Sequence, residues 1–196
     1  MTWLARTVIA LCAALAPLVV TAQTSGAAPP LVVRPEPLRD AWWQRATLNP
    51  RSLAVHGMPI KRLEPAWCAA DALTRELYGE ELLGPTGGSP VDGLAFELEA
   101  SLDGSGKPQT AFVGAYRRCD GERGLFLVII DRPGERPRMR FLVEVPDPGS
   151  AIAALSLEPD GSLAVWWCGA CDSGNRIAYN RATRSFYVAG PATRRP

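Results

Sequence analysis

The spacing of apolar and polar positions changes its period partway along the chain. Leu38, Ala41, Trp42 and Arg45 lie at helical spacing in a short segment that ends near Asn49-Pro50. After Glu64-Pro65, the residues Ala66, Ala69, Ala70, Leu73, Leu77 and Tyr78 recur at three and four positions, with Asp71, Arg75, Glu76 and Glu80 mostly opposite. This pattern predicts a second, better helix that starts on the proline and stops at Gly84-Pro85. From Asp92 onward the period becomes that of a strand. Asp92-Gly93, Asp103-Gly104, Asp120-Gly121, Pro133-Gly134, Pro148-Gly149 and Asp160-Gly161 punctuate it, and Asp-Gly is a strong hairpin signal.

Between these turns the expected strands are Leu94 to Ala100, Thr110 to Arg117, Leu125 to Asp131, Met139 to Val145, Ile152 to Leu157 and Leu163 to Cys168, with Ile177 to Asn180 and Ser185 to Val188 as shorter additions. Leu125 to Ile130 is apolar on both faces and should be central. The predicted fold class is α+β: N-terminal helices packed on an antiparallel β-meander of about six to eight strands, as an open sheet or a small barrel. One globular domain is expected over residues 38–190, helical to about 84 and β from about 92. A Pro/Ala-rich linker at 23–37 precedes it and a flexible tail at 191–196 follows.

The N-terminus reads differently from the rest. Arg6 precedes an apolar stretch from Val8 to Val20 broken only by Pro17, and Val20-Thr21-Ala22 offers small residues before Gln23. Residues 1–22 are therefore expected to be a cleavable signal peptide, which places the mature chain in the periplasm or outside the cell. A membrane span needs about 20 unbroken apolar residues, and no span is expected in the mature chain. Arg6 is one of the 21 basic residues, so cleavage would leave 20 basic against 20 acidic. A neutral chain lacks the cationic surplus from which nucleic-acid binding draws most of its affinity.

With residues 1–22 removed, Cys68, Cys119, Cys168 and Cys171 remain, an even number in an exported chain, which favours two disulfides. Of the three possible pairings, Cys68 with Cys119 and Cys168 with Cys171 is preferred, because residues three apart across a turn meet with little rearrangement. Chain entropy assigns about 4 kcal/mol to the long loop and about 2 to the short one, so the long bridge is the structural one.

Trp167-Cys168-Gly169-Ala170-Cys171 resembles the active-site pentapeptide of the thioredoxin family. The resemblance implies thiol-disulfide exchange, with Cys168 as nucleophile and Cys171 as resolving thiol. The family's mechanism uses a helix N-terminus to stabilise the thiolate, whereas Asp172-Ser173-Gly174-Asn175 here is turn-rich and leads into alternation. A zinc site would ordinarily pair two Cys-x-x-Cys knuckles, and this chain has one.

Ser101 to Pro108, followed by Thr110 to Gly114, resembles the calcium loop and strand of FG-GAP or VCBS-type propeller repeats, with Ser101 and Ser105 standing where carboxylates would be; Asp160-Gly161-Ser162 echoes it. A hairpin turn is the simpler reading of both, and no metal or other cofactor is expected. His56, the only histidine, lies in a loop-like segment with no Gly-x-Ser-x-Gly elbow elsewhere, and Glu97 and Glu99 read as the wet face of a strand.

Trp42-Trp43 and Trp166-Trp167 each put one indole on either side of their element, so one of each pair should pack in the core and the other could meet a ligand. The expected function is that of a non-catalytic, disulfide-stabilised binding or interaction module for a protein, peptide or sugar. Trp166, Trp167 and Asn175 lie on its candidate surface, and thiol exchange at Cys168 and Cys171 is the alternative.

Overall fold

The structure is a computed structural model, and it describes residues 33–34, 47–78, 95–131, 136–167 and 173–193. The expected signal peptide, Trp42-Trp43, Cys168 and Cys171 lie outside the described residues.

The chain is mostly β, with 57% strand and 7% helix, which corrects the expected α+β class. Strands β1 (Val33–Arg34) and β2 (Thr47–Leu48) pair with each other, as do β3 (Ala54–Val55) and β4 (Met58–Pro59). Between β3 and β4, His56 and Gly57 take positive φ of 50° and 76°, the backbone of a tight two-residue hairpin. A single turn of helix, α1 (Ile60–Leu63), follows and buries Ile60 and Leu63.

Where the second helix was expected, Trp67–Ala72 forms strand β5, and only 75–78 turn helically. The helical spacing there rested on alanines. Alanine has the best helix propensity but little surface to hold a face, so pairing with a distant strand decided the outcome. Among the described residues no helix is long and apolar enough to cross a membrane.

The main sheet is built on β7 (Gln109–Arg118). One edge of β7 is shared: β6 (Glu97–Ala100) pairs with its first half and β5 with its second, while β8 (Arg123–Asp131) and then β9 (Arg138–Pro146) extend the other side, all antiparallel. A second antiparallel sheet runs in the order β10 (Ala154–Leu157), β11 (Leu163–Trp166), β12 (Ser173–Asn180), β13 (Ser185–Thr193). A bridge between Ala95 and Leu155 ties the second sheet to the run into β6.

The period-2 rule then explains the core. Ala111, Val113 and Ala115 of β7 and Leu125, Leu127 and Ile129 of β8 point inward and meet Leu155, Leu163, Val165, Ile177 and Phe186 of the second sheet. Phe112, Tyr116, Phe126, Val128 and Ile130 point the opposite way, where Val55, Met58, Ile60, Leu63 and Trp67 cover them. Strand and α1 segments thus cover one face and the second sheet covers the other, the work the sequence reading assigned to helices. The buried Tyr78 hydroxyl donates to the Ala151 carbonyl at 2.7 Å, and burial pushes its phenol far above the ordinary range.

Gly114 lies at a tight point of this packing. A Cβ there would meet the Phe126 ring on one side and the Asp71 carbonyl of β5 on the other. Gly114→Ala is expected to cost about 1–3 kcal/mol in urea unfolding. A neutral result would mean that β5 moves away from β7 at little cost.

Candidate functional site

Three turns converge on one open cleft of about 350 Å³: the loop joining β6 to β7, the turn joining β10 to β11, and the turn joining β12 to β13. The first two share one local construction, which the turn at Asp120-Gly121 repeats. In each, the glycine takes positive φ and its N–H closes onto the carbonyl three residues back, while the aspartate Oδ1 accepts the N–H two residues on. Glycine supplies the backbone freedom and aspartate a rigid local acceptor.

The loop at Ser101–Gly106 is fixed further. Ser101 Oγ accepts the Gly106 N–H at 2.8 Å, Ser105 Oγ accepts the Lys107 N–H at 3.2 Å, and the buried Gln109 accepts from the Leu102 N–H at 2.7 Å. These hydroxyls therefore serve the backbone instead of standing in for the carboxylates of a calcium loop. Among the described residues no three His, Cys, Asp or Glu side chains are grouped to hold a metal ion.

Arg181 lines the cleft, and two further arginines stand against its aspartates. Arg140 is the extra residue of a bulge in β9, and the bulge aims its Nη1 at Asp131 Oδ2, 2.6 Å away, and toward Asp103 Oδ2 at 3.8 Å. Its guanidinium also lies 6.0 Å from the Tyr179 ring centroid and 5.9 Å from that of Phe186. Arg176 stands 3.7 Å from Asp160 Oδ2. The Arg181 guanidinium rests where a Cβ on Gly104 would sit, and forms no hydrogen bond or ion pair among the described residues.

Burial pushes the Asp103 carboxyl up, but donors on Ser105 and Gln109 and the charge of Arg140 outweigh it and hold the group below its ordinary range. The Ser162 donors do the same for Asp160. Both are carboxylates at neutral pH.

The other residues singled out from sequence are distributed elsewhere. Cys68 and Cys119 are bridged. Cys68 is the unpaired residue of a bulge in β5, which turns its side chain toward Cys119 just beyond the end of β7, and the Lys61 ammonium lies 3.5 Å from Cys119 Sγ.

Trp166 is buried with Ala164 and Ala192 on the outer side of the second sheet, and its Nε1 donates to Ser156 Oγ at 3.1 Å. Trp167 is half-buried against the inner core and donates to Asn175 Oδ1 at 2.8 Å, so these two are brought together while Trp166 points away from them. Cys168 and Cys171 fall between β11 and β12, which pair antiparallel with each other. His56 packs on the Phe112 ring with centroids 4.1 Å apart and reaches toward Glu97 at 3.6 Å.

Both Asp-Gly-Ser turns are legible in the sequence, but nothing in it joins them or points to Arg140, Tyr179 and Arg181. Their placement depends on a bulge and on which turns meet, neither of which leaves a local signal. No family model, curated protein or solved structure matches the chain, so the functional reading rests on these residues alone.

Proposed function

We propose that the protein is exported to an oxidising compartment, periplasmic or extracellular, and works there as a disulfide-stabilised, non-catalytic binding module for a protein, peptide or sugar. The observation that carries the reading is the Cys68–Cys119 bridge, which ties an edge strand to the exposed turn between β7 and β8. Such bridges persist where thiols are kept oxidised. The order of charge, apolar stretch and small residues in 1–22 supports the same compartment.

Thiol exchange at Cys168 and Cys171 is the competing reading, and against it stands a strand downstream of the cysteines where the exchange family has a helix. β12 begins at Ser173, immediately after the segment that holds the two cysteines.

Mass spectrometry of the exported protein, alkylated without reductant across a graded dithiol/disulfide series, separates the two. The expected mass begins at Gln23, with both cysteine pairs oxidised down to potentials below about −300 mV. Opening of the Cys168–Cys171 pair near about −200 mV would replace this reading with the exchange one.

A further inference from the structure

We infer that the cleft between the Ser101–Gly106 loop, the Asp160–Ser162 turn and Arg181 is the ligand site of this module, and that its ligand is a neutral polyhydroxylated molecule, a sugar. The inference rests on the binding-module reading and adds a place and a chemistry to it.

The cleft, about 350 Å³, falls within the size range of small-ligand sites, and its rim comes from turns already held by their own hydrogen bonds, so little ordering remains to be done on binding. Charge balance selects the ligand class. The lining carries Asp103, Asp160 and Arg181, and behind it Arg140 stands against Asp103 and Asp131 and Arg176 against Asp160, so the cleft has no cationic surplus to hold a phosphate and no dense anionic field to hold a polycation.

What the cleft does present is alternating acceptors and donors. In Asp160, whose side chain is 60% exposed, the Oδ1 is committed to the turn, while the Oδ2 stands 3.7 Å from Arg176, beyond direct hydrogen-bond distance. A hydroxyl both donates and accepts, so a vicinal diol can donate to a carboxylate oxygen and accept from a guanidinium N–H without bringing a charge of its own. Ala178 and Tyr179 supply the apolar lining that the C–H face of a pyranose needs.

The test is saturation-transfer NMR on the oxidised mature chain with maltose, cellobiose, lactose and trehalose at millimolar concentration, and L-alanyl-L-alanine as a zwitterionic comparison. At least one disaccharide is expected to show transfer. Asp160→Asn and Arg181→Ala should each weaken its binding about tenfold or more, the scale set by losing one charge-assisted contact. Asp160→Asn keeps the oxygen that accepts from Ser162, so the turn survives and only the outward oxygen changes. Leu53→Ser, at an exposed residue away from the cleft, should leave binding unchanged.

Absence of transfer from all four sugars, transfer undiminished in both cleft variants, or transfer from the dipeptide alone would overturn the inference. Because the cysteines are oxidised throughout, such a failure removes the sugar site and leaves the redox result of the binding-module reading untouched.

Discussion

Trp67→Ala is expected to destabilise the chain by about 3–5 kcal/mol, a large share of the roughly 5–15 kcal/mol that holds a typical domain together. Trp67 is completely buried on β5; its ring stacks on Tyr116 with centroids 5.0 Å apart and lies tilted 4.9 Å from Phe126. Truncation would open a cavity between the main sheet and the segments that cover its outer face.

A polar contribution comes on top. Trp67 Nε1 donates to Glu144 Oε1 at 2.6 Å, while the other carboxylate oxygen accepts from Arg118 at 2.7 Å. Since Arg118 stays and Glu144 is not fully buried, the orphaned oxygen can turn to water, so the cavity dominates. Trp67→Phe separates the parts: it keeps most of the ring and loses the N–H, and about 1–2 kcal/mol is expected. Urea unfolding followed by far-UV circular dichroism decides the matter. A loss below about 1 kcal/mol for the alanine variant would mean that this outer layer is not a true core.

Particular residues show what could be read in advance. The Asp-Gly turns announced the hairpins because the dipeptide carries its own mechanism, a glycine at positive φ and an aspartate that accepts the following N–H. The strands at Gln109–Arg118 and Arg123–Asp131 followed from apolar runs bounded by such turns. The β5 segment was misread as helix because Ala69, Ala70 and Ala72 satisfy either period, and the deciding partner, β7, lies far along the chain.

The split into two sheets was equally hidden. Nothing local in 147–153 distinguishes a chain that continues a meander from one that crosses to a second layer, yet that crossing supplies the cover for the inner face. At the cleft, Asp103 and Asp160 were visible as separate echoes of one motif, while Arg140 owes its direction to a bulge and Arg181 to the meeting of three turns. The preferred pairing of Cys68 with Cys119 follows from an even cysteine count and the close spacing of Cys168 and Cys171, and the Cys68–Cys119 bridge is present.

Removing that bridge with the double variant Cys68→Ala/Cys119→Ala is expected to cost about 4 kcal/mol, the chain entropy returned to the unfolded state when a loop of this length is released. The closure spans 51 residues and connects β5 to the β7–β8 turn, across the stretch that also contains β6. Both cysteines must be changed. A single substitution would leave a free thiol, and at Cys119 it would lie beside the Lys61 ammonium, which favours the reactive thiolate.

The melting temperature should fall by roughly 8–16 °C for a domain of this size. Hydrogen exchange tells how the loss is distributed. If the bridge acts on the unfolded chain, protection falls together for the slowest amides of β7 and β8 and for those of β5. If it instead pins an edge strand that holds only half of β7, the β5 amides lose protection alone and the global midpoint moves little, which would contradict the entropic account. The first pattern would also couple folding to compartment, because a chain that folds before oxidation would lack a large part of its stability, and one that folds after export would have it.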